Sequence, residues 1–270
     1  MPRRSQPAAR KSLGQHFLRD SGIILDIVGA VRVPEGGIVV EIGAGTGQLT
    51  SGLLDAQHEV LALEIEERLV EHLRKRFHRS GRLTVVEDDG RSVDYGSLVG
   101  ARPFAVAGNL PYFAANPILR HLLESPVKPV DIVIMVQREV ARRIAAPAGR
   151  LSLLGVSVQV YAGPEFLFDV PPEAFDPPPK VWSTVLRLTP RAEPRVPLER
   201  IDAFFDLVSK TFRNPRKHLH NALTMGVALP KGGAAIALAA TGIDPMRRPE
   251  TLAIDEWLSL LDATEDVRRG

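Results

Sequence analysis

A chain of 270 residues, 44% hydrophobic and 24% charged, is long enough for one large domain or for one domain with a smaller companion. It has no cysteine, which excludes disulfides and thiolate chemistry, and no apolar run reaches the roughly 20 residues that cross a bilayer. The net charge is only +2, so the distribution of charge says more about partners than its sum.

Arg3-Arg4 look like the start of a twin-arginine signal, but no apolar core follows, and a cytoplasmic location is expected. The first eleven residues carry Arg3, Arg4, Arg10 and Lys11 and no acid, which reads either as a solvated tail or as a basic arm that meets phosphates. Leu13, Phe17 and Leu18 come next, and their apolar side chains imply docking on the fold. A helix is expected over 21–31, with Ile23, Ile24, Ile27, Val28 and Val31 on one side.

Val39-Val40-Glu41-Ile42 then reads as a buried strand, followed by glycines at 43, 45 and 47 and by helical spacing of Leu49, Leu53 and Leu54. Strand, glycine turn and helix form a cradle in which no Cβ blocks a ligand. A second strand over 59–64 ends at Glu64, nineteen residues after Gly45, where an acid is placed to hold ribose hydroxyls. Residue 48 is Gln, so the dinucleotide spacing G-x-G-x-x-G is absent. The acid-x-Gly-x-Gly-x-Gly form resembles the first motif of S-adenosylmethionine-dependent methyltransferases.

The alternation continues with a helix over 66–77 and a strand over 83–86 that runs into Asp89 at the expected ligand edge. Asp89 could accept from an adenine amine or be a solvated turn acid. A strand over 104–108 leads into Asn109-Leu110-Pro111-Tyr112. A helix over 117–123, a strand over 130–136, a helix over 138–145 and strands over 153–161 and 182–188 follow. This is an α/β pattern, a Rossmann-like, mainly parallel, doubly wound sheet. Three prolines within 189–197 mark a linker, and helices are expected beyond it over 201–212, 217–225, 234–240 and 254–261. The expected domains are 1–190 and a small all-helical 198–270.

Asn109-Leu110-Pro111-Tyr112 lies at the carboxyl end of a sheet strand and suits methyl transfer to an exocyclic amine. Adenine's amino nitrogen is a poor nucleophile because its lone pair is delocalised into the ring. An Asn oxygen and a backbone carbonyl, held by Pro111, can accept its two N–H groups and aim the lone pair. Tyr112 or Phe113 can stack on an extruded base. The histidines show no H-E-x-x-H spacing, and no metal is expected.

These stretches resemble the bacterial small-subunit (16S) ribosomal RNA adenine N6,N6-dimethyltransferase family over nearly the whole chain. The resemblance is carried by Lys11-Ser12-Leu13-Gly14-Gln15-His16-Phe17-Leu18, the glycine loop, Glu64, Asp89 and 109–112. Gln137-Arg138-Glu139-Val140-Ala141-Arg142-Arg143 and Gly149-Arg150-Leu151-Ser152 add to it. So do Val170 to Val181, with its Pro177-Pro178-Pro179-Lys180, and Phe212-Arg213-Asn214-Pro215-Arg216-Lys217-His218-Leu219-His220-Asn221. It implies dimethylation of two adjacent adenosines in a hairpin near the rRNA 3′ end, on an immature 30S particle. It also implies S-adenosylmethionine as cofactor, held from His16, Leu18, Gly43, Gly45, Glu64, Asp89, Gly90 and Asn109. A monomer and no membrane partner are expected. His16 stands where the family usually has Asn, Gly90 where it has Ala, and Leu154-Gly155-Val156 where a Gln-containing stretch is common.

Two alternatives stay open: an adenine methyltransferase of large-subunit rRNA of the macrolide-resistance type, and a non-catalytic rRNA-binding assembly factor. Arg10, Lys11, Arg213, Arg216 and Lys217 form two cationic segments almost free of acids, which read either as RNA phosphate contacts or as a solvated face. Arg216, Lys217 and His220 are expected to open a helix whose first-turn amides can meet an anion.

Overall fold

The structure, a computed structural model, describes residues 7, 10, 15–111 and 114–269. In chain order it has β1 (Phe17–Leu18), α1 (Ser21–Ala30), β2 (Ile38–Ile42), α2 (Gln48–Asp55), β3 (Val60–Glu64), α3 (Glu67–Arg76) and β4 (Leu83–Glu87). There follow α4 (Tyr95–Val99), β5 (Phe104–Asn109), α5 (Ala115–Glu124), β6 (Asp131–Gln137), α6 (Arg138–Ile144) and α7 (Leu153–Tyr161). Then come β7 (Ala162–Val170), β8 (Phe175–Asp176) and β9 (Ser183–Pro190), with helices α8 (Ile201–Phe212), α9 (Leu219–Gly226), α10 (Gly233–Thr241) and α11 (Ile254–Arg269). The chain divides into two compact units, Met1–Ala141 with Gly163–Pro190 and Arg142–Ala162 with Arg191–Gly270.

The first unit is built on a seven-stranded sheet of order β4-β3-β2-β5-β6-β9-β7. The first five of these strands pair in parallel, and β9 runs antiparallel to β6. Strands β2, β3 and β5 are buried along almost their whole length, as continuous apolar runs require when helices cover both faces. Alternate residues separate the faces. Val39, Val60, Ala62, Ala105, Ala107, Val133 and Met135 share a cluster with Ile24, Ile27 and Val28 of α1 and Leu49, Leu53 and Leu54 of α2. Their neighbours Val40, Leu61, Leu63, Val106 and Ile134 are equally buried on the other face. The side chains of Ile42, Leu63 and, on α5, Ile118 all flank Gly90, each within 4 Å of where a Cβ on it would stand. Because β2 lies between β3 and β5, strand order reverses at the β2–β5 pair and opens a crevice at its carboxyl end.

Asp20 caps α1 by accepting from the Ile23 amide at 3.0 Å. The short pair of β1 with β8, Phe17 opposite Asp176 and Leu18 opposite Phe175, pins the N-terminal segment to the unit. Arg187 on β9 is buried 3.3 Å from Asp131 on β6, and its second partner is Glu165 at 3.2 Å. Asp131 also accepts from the Arg32 amide at 3.0 Å, so this buried carboxylate is held by two elements.

The second unit is helical. Trp257 of α11 is fully buried and its ring lies 5.9 Å from that of Phe212. Tyr161 of α7 stacks on Phe205 of α8 at 6.2 Å.

Three sequence expectations are corrected. Residues 153–161 form α7, not a strand. Their Val156, Val158 and Val160 alternate with Ser157 and Gln159 in the period of a strand, but Ser152 caps a helix there by accepting from the Gly155 amide at 3.2 Å. The helix is buried on most sides within the second unit, and that burial overrides β-propensity. The sheet strand is β7, which was not anticipated. Finally, α9 starts at Leu219, after Arg216 and Lys217. Its Leu219 and His220 amides donate to Arg247 O at 2.6 Å and Pro245 O at 3.2 Å, so those donors do not serve an anion.

Glu41 gives a stability prediction. It is 1% exposed in β2, and the Thr50 hydroxyl donates to its Oε2 at 2.5 Å. Burial lifts its pKa from 4.5 to about 8, against the opposing pull of the Thr50 hydrogen bond. The folded protein therefore holds a proton that the unfolded chain releases between about pH 4.5 and 8, and stability falls as pH rises through that window. Glu41→Gln is expected to flatten this fall, which is at most about 1.4 kcal/mol per pH unit. Urea denaturation of both proteins from pH 5 to 9 checks it, and parallel curves would refute the assignment.

Candidate active site

The crevice at the ends of β2, β3, β4 and β5 holds a cavity of about 340 Å³. The turn after β2 shapes its floor. Gly43, Gly45 and Gly47 take φ of 74°, 58° and 77°, the left-handed region that other residues rarely enter. At Gly47 sterics add a second demand: a Cβ would lie 2.6 Å from the Phe77 ring and 2.7 Å from Leu73. The Gly43 amide donates to Leu63 O at 2.8 Å, which ties the turn to the end of β3.

Glu64 closes β3 with 7% exposure. Its Oε2 accepts from the Gly45 amide at 2.8 Å, and Oε1 accepts from Ile65 and Glu66 amides at 2.9 and 3.0 Å. Burial pushes its pKa up, while these backbone donors pull it down. Glu66 faces the same cavity, accepting from Gln15 Nε2 at 2.7 Å and pairing with Arg68 and, at 3.2 Å, with Arg10. Burial acts upward on Glu66, but the hydrogen bonds from Arg68 and Gln15 prevail and lower its pKa.

Asp89 sits past β4 with Arg91 doubly bonded to it: Nε at 2.8 Å and Nη2 at 2.6 Å from Oδ2. These bonds hold its carboxyl below the usual range. Gly90 lies alongside, its carbonyl accepting from the Tyr95 hydroxyl at 2.9 Å, and a Cβ there would stand 3.0 Å from Ile42.

At the end of β5, Asn109 Nδ2 donates to His16 O at 3.2 Å, which leaves Oδ1 as the acceptor end of the amide. The Leu110 amide donates to Met135 O at 3.1 Å, and Pro111 O accepts from the Ala114 and Ala115 amides that open α5. His16 Nδ1 donates to Pro177 O at 2.7 Å, so the residue in the usual Asn position is fixed by its own side chain.

The structure thus brings His16, Gly43, Gly45, Glu64, Asp89, Gly90, Asn109, Leu110 and Pro111 to one cavity. Leu18 is buried in the core behind it and lines a smaller adjoining recess. Tyr112, Phe113 and Lys11 lie outside the described residues. Arg10 is described and is paired with Glu66. Arg213, Arg216 and Lys217 belong to the second unit; all three are exposed, and among the described residues none has an acidic partner.

Sequence reasoning missed Gln15, Ile65, Glu66, Leu69, Arg91 and Ile118 at the cavity. Ile65 carried a usable signal. An apolar residue between two acids at a strand end has no core to enter, and it is 60% exposed against the cavity.

The lining discriminates between ligands. Four acids, Glu64, Glu66, Asp88 and Asp89, face a cavity whose one Arg or Lys among the described lining residues is Arg91. A pyrophosphate is repelled there, whereas a cationic sulfonium amino acid linked to adenosine is matched. Glu64 lines the cavity beside the apolar side chains of Ile65, Leu69 and Ile118, a mix of acid and apolar wall that suits an adenosine-bearing ligand. Among the described residues no group of three or more His, Cys, Asp or Glu is arranged to hold a metal ion. No described helix is long and apolar enough to cross a membrane.

A glycine turn and an acidic cavity at the reversal point of a largely parallel sheet define an S-adenosylmethionine-dependent methyltransferase. The chain belongs to the ribosomal RNA adenine dimethylase family, whose model matches residues 7–266. It is 40% identical over 254 residues to the ribosomal RNA small subunit methyltransferase A of Alkaliphilus oremlandii, covering 92% of this chain and 88% of that one. The protein of the same name from Acinetobacter baylyi is 40% identical over 268 residues, covering 97% and 94%. Among solved structures, the 23S rRNA methyltransferase ErmE matches with a TM-score of 0.70 and 27% identity over 92% of this chain and 99% of its own. A dimethyladenosine transferase from Plasmodium falciparum shares the fold, with a TM-score of 0.76 at 24% identity over 94% and 98%.

Glu64→Ala is expected to weaken S-adenosylmethionine binding by roughly 1.5–3 kcal/mol for each charge-assisted bond lost. Calorimetric titration of the folded variant tests it. Wild-type affinity would remove Glu64 from the binding set.

Proposed function

We propose that the protein dimethylates N6 of two adjacent adenosines in the 3′-terminal hairpin of small-subunit rRNA, on an immature 30S particle, as a cytoplasmic monomer. The observation that carries this reading is Asn109, held by His16 O at the end of β5 beside the acidic cavity. When bound, S-adenosylmethionine supplies an electrophilic methyl group. Glu64, Asp89, the turn at Gly43 and Gly45, and the segment at His16 and Leu18 hold it, with Gly90 leaving room where a side chain would crowd Ile42. Asn109 Oδ1 and Leu110 O accept the N–H groups of the adenine amine. Pro111, whose own carbonyl is committed to α5, keeps that pair rigid. Tyr112 follows directly and is assigned to stacking on the extruded base.

Identity supports the small subunit: the small-subunit relatives are 40% identical, the 23S enzyme 27%. Methyl incorporation by the full chain into small-subunit particles, large-subunit particles and protein-free rRNA tests the assignment. Labelling confined to large-subunit rRNA would favour the macrolide-resistance reading, and cofactor binding without labelling would favour an assembly factor. Asn109→Ala is expected to lower turnover on small-subunit particles by about 10²–10³, with a smaller effect on cofactor affinity. Near wild-type incorporation would reject its role.

For RNA, Arg213, Arg216 and Lys217 are proposed phosphate contacts, supported by their exposure and lack of acidic partners among the described residues. Arg10, engaged with Glu66, and Lys11 complete the set proposed from sequence. Charge reversal at Arg216 and Lys217 is expected to weaken RNA binding and lower the slope of log affinity against log salt by roughly 0.7–0.9 per lost contact. Cofactor affinity is expected to stay constant. An unchanged salt slope would mark them as a solvated face.

A further inference from the structure

Trp182 is out of place as a packing residue. It is 43% exposed, and Val181 before it is 45% exposed, although both immediately precede β9, which is buried over most of its length. The sheet register locates it. Asn109 of β5 stands opposite Met135 of β6, Met135 opposite Val185 of β9, and Gln137 opposite Ser183. Trp182 therefore projects just beyond the carboxyl end of β6, on the edge of the sheet that carries Asn109. It is two strands across and three residues further along, or roughly 14 Å away at ordinary strand spacings.

The indole is also held in place. The Arg138 guanidinium lies over its ring at 5.3 Å from the centroid, and the Arg138 amide donates to Trp182 O at 3.0 Å. Arg138 reaches Asp169 at 3.6 Å, which fixes its far end. Lys180 is exposed two residues before the ring. An oriented, partly exposed aromatic ring beside an exposed cation, here Lys180, is the combination that binds single-stranded nucleic acid, the ring taking a base and the cation a phosphate.

We propose that Trp182, with Arg138 packed over it, is a stacking platform for an unpaired nucleobase of the substrate RNA flanking the methylated adenosines. The assignment rests on the rRNA-methylating reading above and adds a residue that positions the RNA without touching the reacting atoms.

The chain has two tryptophans, and Trp257 is fully buried in the helical unit, so stacking on Trp182 reads out as fluorescence quenching over a constant background. The full chain is titrated with a protein-free rRNA hairpin bearing an unpaired adenosine-containing loop, and with a fully paired duplex of the same length. Loop RNA is expected to quench wild type and the duplex to quench it weakly. Trp182→Phe is expected to lose the quench while keeping most of the RNA affinity. Trp182→Ala is expected to raise the KM for RNA roughly ten-fold, with the loss in KM rather than kcat and with wild-type cofactor affinity. A quench that survives in Trp182→Phe, or a wild-type RNA KM in Trp182→Ala, overturns the proposal. A quench seen only with protein-containing particles also overturns it, because the ring would then meet protein. Absence of methyl incorporation by wild type counts against the rRNA-methylating reading alone, since the fluorescence arm measures binding.

Discussion

The carboxylate of Glu64 is the constraint on which the site depends. A carboxylate this buried is tolerated only if its oxygens are satisfied, and the nearest donors are backbone amides. Two come from its own strand end, Ile65 and Glu66, and the third is Gly45 in the turn after β2. One side chain therefore fastens the end of β3 to the turn of the neighbouring strand. With Gly45 held, the flanking glycines settle in left-handed conformations, and Gly47 lies so close to Leu73 and Phe77 that α3 packs directly on the turn. Sheet and turn meet at this buried carboxylate, and α3 packs on the turn beside it.

The N-terminal segment extends the same logic across the cavity. Gln15 donates to Glu66, His16 donates to Pro177 O, and His16 O accepts from Asn109. The β1–β8 pair anchors the residues that follow. The wall made by Gln15, His16 and Phe17 is thus fastened at the strand end that carries Glu66 and at the strand end that carries Asn109. The arm read from sequence ends at Lys11, and from Gln15 onward the segment is part of the site, as the apolar Phe17 and Leu18 led one to expect. Arg10 of the arm reaches Glu66 on the cavity rim at 3.2 Å while its side chain stays more than half exposed.

The parallel strands and the helices that cover them were legible because burial on both faces writes continuous apolar runs, and amphipathic helices write a period near 3.6. The glycine turn, Glu64 and Asn109 were legible for a different reason: their chemistry is local to strand ends. What stayed hidden is long-range. Nothing near Gln15 announces a partner 51 residues away, and nothing near Asn109 announces the carbonyl of His16, 93 residues away. Residues 153–161 misled because alternation of valine with Ser157 and Gln159 fits a strand, and only the packing of the second unit decides for a helix. Arg216 and Lys217 misled in a subtler way. Pro215 does mark a break, but the amides that follow are claimed by carbonyls of 245 and 247, which no local pattern could supply.

Charge placement explains how a nearly neutral chain suits two ligands of opposite sign. A net charge of +2 gives no general attraction to a polyanion. Glu64, Glu66, Asp88 and Asp89 gather on one cavity, and of these Glu66 and Asp89 already have Arg partners. Glu64 and Asp88 have no arginine or lysine partner among the described residues, so a bound cation gains attraction with little competition from the protein. The cations at 213, 216 and 217 are the converse: exposed, without acids among the described residues, and therefore able to exchange water and counterions for phosphate with little rearrangement. Had the same acids been spread over the surface, they would have neutralised these cations and left the cavity indifferent to the sign of its ligand.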